Sequence, residues 1–212
     1  MKDVFDYGKY TQEEIKDYLN QFYKSYKNLY GSKAQSVGFY RYIIDNLPQE
    51  IIGEIYYGSI LDWGCGEGTG TLMLQHIFPK AIIDGIDISE SSIERANNTI
   101  TKHFGINYYV KILDNEKYDL IINSNCLEHF KNPVNIVEKH LKYNTNKYYI
   151  LLVPYMGRIV DNISDHLVTI DDTTFPVKLG NASIVFKHID HLGSYGSWNG
   201  YQMLIIYKKD DI

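Results

Sequence analysis

Ile60-Leu61-Asp62-Trp63-Gly64-Cys65-Gly66-Glu67-Gly68-Thr69-Gly70 is the stretch whose reading decides the fold. It reads as the end of a short apolar strand, an acidic residue, a glycine-rich turn, and a helix start at Thr69. Glycine tolerates positive φ and carries no Cβ, so such a turn brings backbone amides close to a ligand. A bare Gly-x-Gly-x-x-Gly match would be weak evidence, because dinucleotide-binding folds use a similar loop. Here the acid stands before the first glycine, and the spacing is Asp-x-Gly-x-Gly-x-Gly.

A Rossmann-like unit places an acidic residue at the end of its second strand, roughly 20 residues past the loop, where it binds ribose hydroxyls. Ala81-Ile82-Ile83-Asp84-Gly85-Ile86-Asp87-Ile88-Ser89 is such a strand, ending near Asp87. Ser89 or Ser91 can cap the following helix, and Ser91 with Glu94 fits a capping box. The glycine loop and the Gly-Ile-Asp-Ile-Ser string together resemble the first two motifs of class I S-adenosylmethionine (SAM) dependent methyltransferases.

Alternation continues through the rest of the chain. Strands are expected at Ser59–Asp62, Ala81–Asp87, Ile106–Leu113, Tyr118–Asn123 and Tyr148–Val153, with helices at Thr69–Phe78, Glu90–Phe104 and Pro133–Lys142. Asn132-Pro133 is a good helix start, since proline at the first position loses no needed hydrogen bond. Alternating strands and helices imply a parallel sheet with right-handed crossovers. Ala182–Ile189 and Tyr201–Tyr207 lack an intervening helix and should pair antiparallel across the turn-rich His191–Ser197. The expected fold is α/β: a seven-stranded Rossmann-like sheet of five parallel strands plus a C-terminal antiparallel hairpin. This is the arrangement the family resemblance implies, over roughly Gly58 to Lys209.

Upstream, Ile15, Tyr18, Leu19, Phe22 and Tyr26 recur at helical spacing behind a Thr11/Glu14 capping box, predicting a helix over Thr11–Asn28. A second helix is expected from Ala34 to Asn46, ended by Pro48. The division is then residues 1–57, an N-terminal helical extension, and residues 58–212, a cofactor-binding core, within one domain. In the resembled family such an extension often forms a lid, which makes Tyr7, Tyr30, Gln35 and Tyr40 lid candidates. Packing on the sheet is the other reading.

Composition bounds the function. The chain has 212 residues, 44% of them hydrophobic, and no apolar run of about 18 residues that would span a membrane. Met-Lys-Asp leads into a polar segment, so no secretory signal is expected and the expected compartment is the cytoplasm. A net charge of −5 weighs against a dedicated nucleic-acid binder. The two cysteines, Cys65 and Cys126, show no metal spacing. Twenty tyrosines fit either a compositional bias or a tyrosine-lined substrate pocket.

In such a fold ligands lie beyond the carboxyl ends of the strands. The resemblance implies that the backbone of Gly64, Cys65, Gly66 and Gly68, with the helix end at Thr69, holds the methionine carboxylate and ribose. Asp62 is expected to accept from the loop or, through water, from the cofactor amine. Asp87, with Ile88 beside it, is expected at the ribose, and Asp114 at the adenine amine. Asn123, Ser124 and Asn125 are expected near the sulfonium. The fourth-strand segment Tyr118-Asp119-Leu120-Ile121-Ile122 … Leu127-Glu128-His129 … Pro133 resembles that of methyltransferases acting on small molecules, including those of quinone biosynthesis.

His129 is the most attractive general base, since an ordinary imidazole pKa near ~6.5 suits proton removal at neutral pH. Support of the loop is its other reading. His166, in Asp165-His166 of the long connection from Pro154 to Asn181, is the second catalytic candidate if the fold carries it to the methyl group. Asp161, Asp171 and Asp172 share that connection. No metal is expected; His188 and His191 straddle the hairpin without supporting spacing.

Asn123-Ser124-Asn125-Cys126 stands where exocyclic-amine DNA methyltransferases carry Asp/Asn-Pro-Pro-Tyr/Phe, and neither cysteine follows a proline as in cytosine-C5 enzymes. The expectation is therefore SAM-dependent methylation of a small molecule, foremost at oxygen of a polar hydroxylated metabolite or glycan precursor. A quinone-type lipid precursor, an amine, and a non-catalytic SAM sensor or partner subunit are the alternatives. A nicotinamide-dependent Rossmann enzyme is disfavoured by the loop spacing and the terminal hairpin.

Overall fold

The computed structural model describes residues 13, 16–17, 20–21, 24, 30–99, 106–110, 115–156, 166–195 and 198–210. In chain order the elements are α1 (Tyr30–Asp45), α2 (Gln49–Ile55), β1 (Ser59–Trp63), α3 (Thr69–Ile77), β2 (Ile82–Asp87), α4 (Glu90–Thr99), β3 (Asn107–Val110) and β4 (Tyr118–Ser124). A 3₁₀ turn (Leu127–His129), α5 (Pro133–Tyr143), β5 (Thr145–Pro154), β6 (Lys178–Leu179), β7 (Ala182–Tyr195) and β8 (Trp198–Lys209) follow. The helical residues Glu13, Lys16, Asp17, Asn20, Gln21 and Lys24 precede α1.

One sheet of order β3-β2-β1-β4-β5-β8-β7-β6 organises the molecule. β1 to β5 are parallel neighbours, and β8 joins β5 antiparallel. The chain winds outward from β1 to β3 and then restarts at β4 on the other side of β1. The crevice between the carboxyl ends of β1 and β4 is thus the topological switch point, where open α/β sheets take their ligands.

Central strands are covered on both faces, which is why they read as continuous apolar runs. Alternate residues sort cleanly. Ile60, Leu120, Ile122, Ile150, Leu152, Leu204 and Ile206 join one core cluster with Tyr40 and Ile43 of α1, Ile51 and Ile55 of α2 and Leu74 of α3. Leu61, Ile121, Leu151, Val153, Met203 and Ile205 join the other with Val137 and Leu141 of α5.

The sheet has eight strands rather than seven. The additional β6 spans two residues, pairs with Ala182 and Ser183, and turns through Gly180 at φ 61°. Two residues are too short for any periodicity to announce. β7 and β8 run on to Tyr195↔Trp198, beyond the expected hairpin ends. The glycine expected in the turn, Gly193, instead lies in a register shift at φ 63°, so its freedom is used in a bulge. α2 was not expected; it starts after Pro48 and buries Ile51 and Ile55 one turn apart. The described part of β3 is Asn107–Val110, and that of α4 ends at Thr99.

Candidate functional site

Gly64, Gly66 and Gly68 all adopt left-handed backbone, with φ of 78°, 55° and 80°. A side-chain-bearing residue is strained there, so the alternate glycines are a conformational requirement of the turn. The turn folds onto β2. The amides of Gly64 and Cys65 donate to the Ile86 carbonyl at 2.9 and 3.0 Å, and that of Gly68 donates to the Cys65 carbonyl at 3.0 Å. Gly66 donates to Asp87 Oδ2 at 3.0 Å. These four amides shape the loop. The first α-helical bond runs from Leu72 N–H to Gly68 C=O at 3.0 Å, so helix geometry leaves the amides of Thr69, Gly70 and Thr71 as the end's donors.

Asp62 ends fully buried beneath this loop. It accepts from the Thr71 hydroxyl at 2.6 Å and from the Tyr40 hydroxyl. Burial pushes its carboxyl up to about 6, against the opposing pull of those two hydroxyls. Tyr40 packs over Gly70, where a Cβ would collide with its ring. A lid candidate is therefore the partner of the central carboxylate.

Asp87 accepts from the Ser89 amide at 2.8 Å as well as from Gly66. It ties the loop to the start of α4. Its carboxyl is also raised by burial, despite the amide donors. Ile88 follows it, half-buried. Ser89 caps α4, accepting from the Ser92 amide at 3.2 Å; Ser91 lies inside the helix, and its buried hydroxyl has no partner. Asn20 Oδ1 accepts from the Ser89 hydroxyl at 3.1 Å and the Ser91 amide at 3.0 Å, and Lys16 pairs with Glu90 at 2.7 Å. The segment before α1 thus reaches the β2–α4 junction beside Asp87.

The Cys65 side chain points into a small cluster with Ile93, Ala96, Ile106 and Tyr108. Burial drives its thiol far up. Only its backbone belongs to the loop.

At the end of β4, Asn123 is fully buried and donates through Nδ2 to the Trp63 carbonyl at 3.0 Å, joining the tips of β1 and β4. Among the described residues its Oδ1 has no hydrogen-bond partner. Asn125 takes φ 50° and donates its amide to Leu152 C=O at 2.8 Å. Its side chain donates to Ser124 Oγ at 3.3 Å and accepts from Gln202 Nε2 at 3.0 Å. Ser124, Asn125 and Gln202 are thus linked side chain to side chain, while Asn123 is tied to β1. Among the described residues the Oε1 of buried Gln202 lacks a partner.

The 3₁₀ turn next delivers Glu128 and His129. Leu167 N–H donates to the Glu128 carbonyl at 2.9 Å, which carries His166 to the same place. Both imidazole Nε2 atoms lie 3.9 Å from Glu128 Oε1, and the two rings meet edge to face at 5.3 Å. The two catalytic candidates of the sequence come together around a carboxylate that is 2% exposed.

Other expectations fall elsewhere. Asp114, Tyr7, Asp161 and Asp165 lie outside the described residues. His188 Nδ1 bonds the Tyr42 hydroxyl at 2.8 Å, and His191 Nδ1 accepts from the Gly193 amide at 3.2 Å. Asp171 accepts from the Thr173 and Thr174 amides at 2.8 and 3.0 Å, an ordinary turn. Sequence reasoning missed Thr71, Asn20, Gln202 and Glu128. Only Glu128 carried a signal, inside Leu-Glu-His, and it was eclipsed by its neighbour.

Comparison with known proteins agrees with this architecture. A family model described as a methyltransferase domain matches residues 58–183. Among solved structures, magnesium protoporphyrin IX methyltransferase from Synechocystis with bound SAM has the same fold. It gives a TM-score of 0.69 at 16% identity over 99% of this chain and 100% of that one. A putative SAM-dependent methyltransferase from Listeria monocytogenes gives 0.57 at 16% identity over 82% and 99%. The chain is 28% identical to malonyl-[acyl-carrier protein] O-methyltransferase 1 of Ilyobacter polytropus over 50% of this chain and 40% of that protein. It is 35% identical to ribosomal RNA large subunit methyltransferase G of Shewanella sediminis over 41% of this chain and 19% of that one. The matches thus span less than half the length of these curated relatives. With a methyltransferase-domain match over more than half of its residues, on this Rossmann-like sheet and glycine loop, the chain belongs to the methyltransferase-domain family.

Proposed function

We propose that this chain transfers the methyl group of SAM to an oxygen atom of a small, polar acceptor, such as a hydroxylated metabolite or glycan precursor. The observation that carries this reading is the cluster of Glu128, His129 and His166, set just beyond the Asn123–Asn125 rim at the switch point.

The residues present fit the cofactor. Thr69–Thr71 offer a helix end to a carboxylate, Asp62 is a buried acid beneath the loop, and Asp87 is the acid at the end of β2, where such folds bind ribose hydroxyls. Asn123 Oδ1 is a buried acceptor awaiting a donor or cation. When bound, SAM supplies a methyl on positive sulfur that an acceptor oxygen takes by in-line displacement, sulfur keeping the bond's electron pair. Since the donor is already activated, the chain's task is alignment and exclusion of water, an effect worth ~7–11 kcal/mol in favourable cases. Asn123, Ser124 and Asn125 fix the rim from which the acceptor approaches. His129 or His166 removes the proton of a hydroxyl acceptor; a carboxylate acceptor would need no base.

In this reading the N-terminal region covers the site, which the contacts of its described residues support: Asn20 and Lys16 bond the β2–α4 junction, and Tyr40 of α1 bonds Asp62. The O-methyltransferase in the Ilyobacter polytropus relative's name supports oxygen as the acceptor atom. The ribosomal RNA relative is the support for a nucleic-acid acceptor, which a net charge of −5 disfavours. No described helix is long and apolar enough to cross a membrane.

The test is transfer from methyl-labelled SAM to a panel of sugars, phenols, carboxylic acids, amines and RNA. Label in the oxygen acceptors supports the proposal. Label in amines or RNA alone overturns the acceptor class, and SAM binding with transfer to none leaves a sensor.

A further inference from the structure

We propose that Glu128, His129 and His166 form a binding site for one divalent metal ion of the zinc type. Nothing in the family match or the sequence spacing assigns it. The site exists only after folding, because His166 comes from the connection after β5 whereas the other two ligands come from the turn after β4.

The donor set is two imidazole nitrogens and one carboxylate oxygen, with the three ligand atoms all within 4.8 Å of one another. Two histidines and a glutamate with an open position is a set that holds catalytic zinc, and imidazole suits the borderline ions rather than magnesium or calcium. Tetrahedral bonds of ~2.0–2.1 Å would place neighbouring ligand atoms roughly 3.3 Å apart. The observed 3.9 Å from each Nε2 to Glu128 Oε1, and the wider spread of up to 4.8 Å across the set, would have to contract to that as the side chains close on an ion.

Backbone bonds hold the ligands in place before any ion arrives. His129 N–H donates to Cys126 C=O at 3.2 Å, fixing the turn, and the Leu167–Glu128 bond at 2.9 Å fixes His166. Glu128 and His166 are buried while His129 is half-buried, so the cluster is open on the His129 side.

The role of the ion, unlike its binding, rests on the proposed oxygen acceptor. With the ion bound, an open position on it would orient an acceptor hydroxyl and lower its pKa, so that the proton leaves to solvent water and the ion takes over the activation that His129 or His166 provides as a base in the metal-free site.

The test uses the full chain stripped with a chelator and dialysed against Zn²⁺, with metal counted by mass spectrometry and Co²⁺ used as a spectroscopic probe. One retained equivalent of Zn²⁺ and tetrahedral-type visible absorption with Co²⁺ are expected. The Glu128→Gln and His166→Gln variants should each lower affinity by roughly 100-fold or more, since even outer-shell partners are worth 10–100-fold. Absence of stoichiometric metal, or equal binding by folded His166→Gln, would overturn the site. Binding of S-adenosylhomocysteine, measured on the same samples, separates the two proposals: cofactor without metal sinks only the ion, and metal without cofactor sinks only the methyltransferase reading.

Discussion

The two sides of the switch point are built differently. On the β1–β2 side, most polar groups are closed among themselves, the Ser91 hydroxyl excepted: the loop amides on Ile86, Cys65 and Asp87, and Asp62 on Tyr40 and Thr71. On the β4–β5 side, Asn123 Oδ1 and Gln202 Oε1 are buried without partners among the described residues, and a carboxylate and two imidazoles converge on one point. Buried polar atoms are ordinarily satisfied. A site that must recognise one fixed cofactor can be finished in advance, whereas the side that meets the acceptor keeps its polar atoms for the ligand.

Breaking the closed side should do the most damage. In Gly68→Ala a Cβ would strike Tyr108 at a φ of 80°. We expect a loss of ~2–4 kcal/mol in denaturant unfolding and collapse of S-adenosylhomocysteine binding; near-normal values for both would mean the loop is not a rigid cradle. On the open side, His166→Ala should lower turnover by about 100-fold or more while leaving cofactor affinity within a few-fold. Cofactor binding that falls in parallel with turnover would erase the division between the sides.

A pH series sharpens the same contrast. The Asp62 carboxyl, raised from an ordinary 3.8 to about 6, binds its proton more tightly folded than unfolded. Its stabilising contribution is therefore full below the unfolded pKa and is lost as pH rises through about 6, at most ~3 kcal/mol. Asp62→Asn should flatten that part of the stability profile between pH 4 and 7. An unchanged slope would show that Asp62 is not the titrating group. The smallest effect is expected at the cover: Asn20→Ala removes bonds to Ser89 and Ser91 and should weaken cofactor affinity about fivefold, in keeping with ~1 kcal/mol of hydrogen bonding. A variant with unaltered affinity would remove the segment before α1 from the site.

Much of this was legible in the chain. The central strands announce themselves because both faces are buried, and Asp-x-Gly-x-Gly-x-Gly demands the left-handed turns found at Gly64, Gly66 and Gly68. What escaped was non-local. Tyr40 pairs with Asp62 because α1 packs on α3 at Gly70, a contact no local pattern encodes. His166 was visible as a histidine but not as a neighbour of His129, since one backbone bond between Leu167 and Glu128 joins them. β6 and α2 were too short to carry a period.

The central claim is that the finished side is a SAM site. Calorimetric titration of the purified chain with S-adenosylhomocysteine, with NAD as control, tests it most directly. The account predicts saturable micromolar binding of S-adenosylhomocysteine and none of NAD. Binding of NAD alone would contradict it, because the same glycine turn would then be serving a dinucleotide.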